Sequence, residues 1–347
     1  MPPFVRFCPC LDYLVEAALS SAACNAMDAT LLKIRLVGVL ALLVLISSTE
    51  PVFSAERIVI GTPSHGLFEF PVVIAMKKGF FTDEGLEVQK VQIQPAIGVK
   101  ALVAGDIDYF LAWGSTLRAA ATGVPLKVVV GLADRPLHVL IARPGIKTGK
   151  DLKGRTIGVD SFAGTVDYLS RTAVRHYGLE PDRDVKIIVS GPSPTRLAAL
   201  KAGAIDATPI DVAFAVKAEE EGLNRLVDLA DIINLPLSGI GVTDEKIARD
   251  REQVKKVIRA SLRGSRFMKS NRTETLRLLT EYLGITAGQA AKTYDSSIRS
   301  FTDDGIVSDQ GLTLDLKLVK ERLKITKDIP ISQVVDWSLL KEIKAGN

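Results

Sequence analysis

Apolar and polar positions along this chain fall into a series of elements that is written twice. The stretches "RIVIGTPSHG" (57 to 66) and "RTIGVDSFAG" (155 to 164) each read as a β-strand, rich in branched apolar residues, that ends in a small, polar, glycine-containing loop. Each loop opens a helical pattern. The first, "EFPVVIAMKKGFF", closes on Gly79; the second, "TVDYLSRTAVRHYG", puts Val166, Leu169, Ala173 and Tyr177 on one face and closes on Gly178. A "GLE" tripeptide follows both, and then a further strand, "LEVQKVQI" or "VKIIV".

Next comes a repeated octapeptide, "ALVAGDID" at 101 to 108 and "ALKAGAID" at 199 to 206. Its Ala-Leu-x-Ala completes a helix, Gly105 or Gly203 supplies a left-handed C-cap, and Ile-Asp begins another strand. A Gly-capped helix before a strand is common in α/β chains. The order of the whole unit, strand, loop, helix, strand, helix, strand, is what makes duplication the stronger reading, and helices between strands imply two mostly parallel sheets.

From "TDEKIARDREQVKKVIRASLRG" onward the pattern is helical to the end, interrupted at Gly284, Gly305 and Pro330. Strand-forming stretches at 137 to 143 and 237 to 243 bracket the second unit. The chain is expected to cross between lobes at both, giving a two-segment hinge, with one lobe at 57 to 141 plus 240 to 347 and the other at 142 to 239.

The 347 residues are 47% hydrophobic and 24% charged, which excludes disordered and collagen-like classes and suffices for two domains. Lys plus Arg number 44 against 40 for Asp plus Glu, but the basic residues are scattered, so nucleic acid is not indicated. "LVGVLALLVLI" (36 to 46), preceded by Lys33 and Arg35 and followed by small residues, is too short to span a bilayer and has the order of a secretory signal. Residues 1 to 55 therefore read as a leader, cleaved after Ser54 or Ala55, with Met27 as the expected true start. All three cysteines, Cys8, Cys10 and Cys24, lie in that leader, so the mature chain would have no thiol chemistry.

Catalytic patterns are missing. "GIKTGK" (145 to 150) is one residue short of a phosphate loop and is followed by Asp151 instead of Ser or Thr; "GIGVTD" (239 to 244) lacks the third glycine of a dinucleotide fingerprint. There is no Gly-x-Ser-x-Gly elbow, and His65, His138 and His176 have no metal-ligand spacing. His138, in an apolar strand, and His176, late in a helix, read as structural. Binding is thus favoured over turnover. In α/β sheets ligands sit beyond the carboxyl ends of strands, which here offer the loops "TPSHGLF", "AWGST", "DSFAGT" and "PIDVAF".

The segments "EFPVVIAMKKGFFTDEGLEV", "LVAGDIDYFLAWGS", "KTGKDLKGRTIGV", "LKAGAIDATPIDVAFAVKAEEEG" and "VVDWSLLKEI" resemble extracytoplasmic solute-binding proteins of ABC importers for nitrate, sulfonates and taurine, which share a thiamine-pyrimidine-synthase-like domain. The resemblance runs from about Ile58 to the C-terminus. It implies a two-lobed periplasmic-binding-protein fold of type II, with a helical C-terminal region. It also implies a periplasmic monomer without a cofactor that is not an enzyme, closes on a small molecule and delivers it to a membrane permease driven by a cytoplasmic ATPase.

Carried onto this chain, the resemblance lines the pocket with Ser64, His65, Phe68, Trp113, Gly114 and Ser115 from one lobe and Ser161, Gly164, Thr165 and Asp211 from the other. Family members often have a serine and prolines where this chain has Asp211-Val212-Ala213. Two readings of the polar residues stay open: Ser115, Ser161 and Thr165 either meet a ligand or cap helices. Helix-start amides suit an anion, whereas Asp160 and Asp211 suit an amine or a ring N–H. Two further functions are carried forward, a synthase in pyrimidine or menaquinone-precursor formation and a sensor for a membrane receptor.

Overall fold

The computed structural model describes residues 55–162 and 164–345. The expected leader, its cysteines, the Met27 start and the apolar segment at 36 to 46 lie outside the described residues, which belong to one compact unit, Ala55–Asn347.

The first half of the chain runs β1 (Glu56–Thr62), α1 (Phe70–Lys77), β2 (Leu86–Gln92), α2 (Pro95–Ala104), β3 (Tyr109–Phe110), α3 (Trp113–Ala121) and β4 (Leu126–Ala133). After β5 (His138–Ala142) the same order returns as β6 (Thr156–Val159), α4 (Thr165–His176), β7 (Lys186–Val189), α5 (Ser193–Lys201), β8 (Ala207–Asp211), α6 (Val212–Glu220) and β9 (Asn224–Asp228). Then come β10 (Ser238–Thr243) and the helices α7 (Arg251–Ser270), α8 (Arg272–Leu283), α9 (Ala287–Ser297), α10 (Asp309–Leu323) and α11 (Ser338–Ala345), with shorter helical turns between.

The two sheets have matching orders, β2-β1-β3-β10-β4 and β7-β6-β8-β5-β9. Each has a parallel half, made by the first three strands of its unit, and an antiparallel half. The sheets are therefore mixed, because each takes one strand from beyond its own unit. Strand β5 leaves the first unit to lie between β8 and β9, and β10 leaves the second to lie between β3 and β4. Such an exchanged strand must run against its neighbours, since the chain reaches it by returning from the far sheet. The two crossing segments are tied together: Arg135 Nη1 donates to the Ala230 carbonyl at 3.2 Å.

Why the octapeptide recurs is now visible. Gly105 and Gly203 sit at φ 82° and 76°, the left-handed region that a Cβ disfavours, and turn the chain out of helix α2 or α5. Ile107 and Ile205 are buried behind the turn. The final aspartate then pins the first strand of its sheet: Asp108 Oδ2 accepts from the Val59 amide at 2.8 Å, and Asp206 Oδ2 from the Thr156 amide at 2.9 Å. Each carboxylate also meets a cation just past the exchanged strand, Lys246 Nζ on Asp108 at 2.8 Å and Arg143 Nη2 on Asp206 at 3.5 Å. The same eight residues build the same joint in both halves.

Apolar packing joins the halves as well. Phe70, Val73 and Ile74 of α1 share one cluster with Leu197 and Leu200 of α5, Ala215 and Ala218 of α6, and Leu278, Leu279 and Tyr294 of α8 and α9. Helix α10 is likewise double-sided, with Leu312, Leu316 and Val319 in a cluster with α3 and β4 and Leu314 and Leu318 packed toward the second sheet. Among the described residues no helix is long and apolar enough to cross a membrane.

Candidate ligand-binding site

Loops at the carboxyl ends of the parallel strands run into helix N-termini that carry no side-chain cap. Helix α3 starts at Trp113 behind Ala112, α4 at Thr165 behind Gly164, and α6 at Val212 behind Asp211, whose carboxylate does not bond its own helix. In the first turn of α3, Gly114 and Ser115 thus present their amides without a side-chain cap, as suits an acceptor or anion.

A cavity of about 240 Å³ lies among these loops. Phe68, Trp113, Gly114, Ser115 and Arg118 line it from the side of the first sheet, and His138, Thr165 and Asp211 from the side of the second. Six of the ten residues expected from the sequence are therefore brought together: Phe68, Trp113, Gly114, Ser115, Thr165 and Asp211. Gly164 lines an adjoining cavity of about 270 Å³ with Thr165 and Arg118.

Ser64, His65 and Ser161 stand apart from both. The His65 ring packs tilted against Tyr282, 4.1 Å between ring centres, and its Nε2 lies 2.8 Å from the Tyr282 carbonyl oxygen. Ser64 is exposed, its carbonyl accepting from Thr62 Oγ1 at 3.1 Å. The Ser161 amide donates to Asp160 Oδ1 at 2.7 Å, closing a local turn. Tyr282 lies far off in the sequence, so nothing near His65 announced its partner.

The sequence puts Trp113 in the loop "AWGST". It opens helix α3 and is 1% exposed. Its indole reaches in over Gly239, where an added Cβ would come within 2.8 Å of Cε3 and 2.7 Å of the Val130 carbonyl oxygen, so only a glycine leaves room. Its Nε1 donates to Asp315 Oδ2 at 2.6 Å. Burial pushes the Asp315 carboxyl up to about 6, while the Trp113 N–H and the Arg118 charge pull the other way.

Arg118 was not foreseen, although a basic residue one turn into the helix after a pocket loop is a readable signal. Among the described residues its hydrogen bond is to Ser115 Oγ, at 3.3 Å. Burial lowers its pKa below the ordinary arginine value, the Arg322 charge lowers it further, and Asp315 opposes both. A guanidinium nonetheless stays protonated, so the cavity wall carries a fixed positive charge.

The second sheet supplies the opposite character. Asp211 Oδ2 accepts from Ser193 Oγ at 2.7 Å, and Oδ1 lies 3.9 Å from His138 Nε2. His138 Nδ1 is buried with no hydrogen-bond partner among the described residues. Burial lowers the His138 pKa, with Asp211 opposing and Arg196 reinforcing, so the imidazole is neutral near pH 7. Arg196 is itself buried and fixes Ser193, donating through Nη2 to Ser193 Oγ at 3.1 Å and to the Pro209 carbonyl at 2.9 Å. The cavity thus offers donors on one side and a carboxylate on the other. Among the described residues no cluster of His, Cys, Asp and Glu could hold a metal ion.

Comparison with known proteins fits this architecture. The E. coli periplasmic aliphatic sulphonate binding protein SsuA superposes with a TM-score of 0.68 at 21% identity, over 82% of this chain and 99% of that one. The periplasmic nitrate-binding protein NrtA of Synechocystis PCC 6803 gives 0.62 at 14% identity, over 84% and 89%. Both likenesses show the two-lobed periplasmic-binding-protein fold. The riboflavin-binding protein RibY of Chloroflexus aurantiacus is 29% identical over 232 residues, 61% of this chain, and the match spans 62% of the length of RibY. The NMT1/THI5-like family model matches residues 69–275, and the chain belongs to that family.

Proposed function

We propose that this chain is an extracytoplasmic solute-binding protein whose two lobes close on a small organic or inorganic solute and whose loaded form docks on the membrane permease of an ABC importer, driven by a cytoplasmic ATPase. The observation that carries this reading is a single cavity lined from both sheets, with Trp113, Ser115 and Arg118 facing His138, Thr165 and Asp211. In a hinged protein that is where closure buries a ligand. The lobes are β1 to β4 with β10 and the C-terminal helices, and β5 to β9; the limits read from the sequence, 141/142 and 239/240, fall inside β5 and β10. Ser64, His65, Ser161 and Gly164 belong to the loops at the mouth and approach the solute on closure. The protein acts as a monomer in the periplasm after removal of its leader, and needs no cofactor.

A thermal-shift screen of the mature chain against nitrate, sulfonates, pyrimidines, riboflavin, polyamines and aromatic acids tests this. A true ligand at a hundred times its Kd stabilises the native state by about 2.7 kcal/mol. Failure of every class to shift the transition would count against the reading. Chemical conversion of the compound that binds would select the synthase instead.

A further inference from the structure

Helices α8 and α9 form a hairpin that turns at Gly284, φ 61°, and its two arms hold different halves of the molecule. Helix α8 is bonded to the first unit. Lys78 Nζ lies 3.6 Å from Glu274 Oε1, Lys77 pairs with Glu281, the Tyr282 hydroxyl donates to Glu69, and the Tyr282 carbonyl oxygen meets His65 Nε2. Helix α9 is bonded to the second unit. Gln289 Nε2 donates to Glu220 Oε2 at 2.7 Å, Lys292 Nζ lies 3.3 Å from Glu220 Oε1, and Arg225 Nη1 donates to Ser296 Oγ at 2.8 Å. Just past the helix, Arg299 Nη2 lies 2.8 Å from Asp231 Oδ1 and 3.2 Å from Asp228 Oδ2.

Both arms end behind the cleft. Glu69, held by Tyr282 and by Lys90 Nζ at 3.0 Å, is buried directly after Phe68, and helix α6, held by α9, begins directly after Asp211. Phe68 and Asp211 both line the cleft. Apolar packing fills the space between the arms: Leu278 and Leu279 of α8 and Ala290 and Tyr294 of α9 share one buried cluster with Phe70 and Ile74 of α1 and Ala215 and Ala218 of α6, and Phe68 and Phe214 pack against it. The other flank is looser. Between α4 and α10 lies the adjoining cavity of about 270 Å³, and Leu314 and Leu318 of α10 border the second sheet only as partly buried residues. The hydrogen bonds that Asp315 and Lys320 of α10 donate or accept, with Trp113 and Asp328, stay on the side of the first sheet.

Proteins open where buried contacts are fewest. Parting the lobes on the flank of the hairpin would break a packed cluster and the polar bonds of both arms, whereas parting them between α4 and α10 widens a space that already exists. We infer that the α8–α9 hairpin is a strap across the two lobes, and that the cleft opens on the opposite flank, between α4 and α10, where Arg118 and Thr165 belong to both cavities. This rests on the chain being a hinged, two-lobed binding protein, and adds where the hinge yields.

Spin-label distances in the mature chain without solute test it. Cys8, Cys10 and Cys24 all precede residue 55, so introduced cysteines are labelled alone. Arg175→Cys with Arg322→Cys spans α4 and α10. Lys217→Cys with Gly288→Cys spans α6 and α9, and an added Cβ at Gly288 meets only Thr286 Oγ1, at 3.9 Å. All four positions lie outside the bonds named above. Double electron–electron resonance should give a distance distribution several-fold narrower for the α6–α9 pair than for the α4–α10 pair, whose distribution should extend to longer distances. Ser296→Ala or, separately, Arg299→Gln should widen the α6–α9 distribution. An α6–α9 pair as wide as the α4–α10 pair, two equally narrow pairs, or an α6–α9 distance that neither variant widens overturns the strap. Because the labels are read without solute, none of these outcomes decides the solute-binding reading, whose own test is the thermal-shift screen.

Discussion

Nε1 of Trp113 donates to Oδ2 of Asp315 at 2.6 Å, so the first residue of helix α3, in the wall of the cleft, is tied to helix α10, which packs toward both sheets. The bond fixes the indole in the cavity wall that Arg118 shares.

The indole therefore reports on the cleft, though by a different route from exclusion of water, since Trp113 is already dry. A ligand at Arg118 changes the field beside the ring. Trp337, half-buried among C-terminal apolar residues, lines neither cavity. Trp337→Phe should keep a saturable change in emission with ligand, and Trp113→Phe should lose most of it. A response that vanishes only in Trp337→Phe would remove the Trp113 loop from the site.

Asp315 should leave a signature in the pH dependence of stability. Its carboxyl is raised to about 6 in the folded protein from 3.8, with burial as the first cause. The folded state therefore holds the proton more tightly than the unfolded one. This contribution is fully present below about pH 4 and is lost as pH rises through about 6, at most about 3 kcal/mol and less where solvent screens the outer edge of the group. Glu274 and Glu342, both lowered to about 2 chiefly by arginine partners, Arg277 and Arg251, slope the opposite way, so the total curve mixes the two. The readout is the difference between wild type and Asp315→Asn in urea unfolding at pH 4 and pH 7.5. The wild type should lose more stability between them than the variant does, and parallel curves would mean that the Trp113 bond keeps Asp315 ionised throughout.

The duplicated joint gives a paired prediction. A carboxylate accepting from a backbone amide contributes about 1.5 to 3 kcal/mol. Asp108→Ala and Asp206→Ala should each lower stability by about that amount, because they remove the same bond, to Val59 and to Thr156. Urea titration checks it. A large loss at one site and none at the other would show that the two joints differ in energy despite their shared geometry.

The joint was legible because it is local: glycine at a helix end, a buried isoleucine and an aspartate lie within eight residues, and their periodicity and turn chemistry fix what they do. Helix α4 was legible for the same reason, with Val166, Leu169 and Ala173 buried on the face that their spacing marks. The exchange of β5 and β10 was visible only as two stray strand patterns, because apolar runs say that a strand is buried and not which sheet buries it. Long-range pairings were not legible at all. Tyr282 packs against His65, Gly239 makes room for the Trp113 ring, and Asp315 arrives from a helix that reads only as amphipathic.

Asp211 provides the most direct test of how the cleft selects its solute. Its side chain is half exposed to the cavity and engaged by Ser193 Oγ through one oxygen, leaving Oδ1 facing His138 and the open space. If a ligand N–H or ammonium uses that oxygen, Asp211→Ala should weaken binding by more than tenfold, since a charged hydrogen bond contributes about 1.5 to 3 kcal/mol. Ser193→Ala provides the control. It removes the internal donor while leaving the carboxylate in place, and affinity should stay within a few-fold of wild type. Titration of both variants with the compound that emerges from the thermal-shift screen decides between two roles. Equal affinity in wild type and Asp211→Ala would confine Asp211 to holding Ser193 and Arg196 in the second sheet. A loss in Ser193→Ala as large as that in Asp211→Ala would mean that the bond between them shapes the loop, and that no ligand donor reaches the carboxylate.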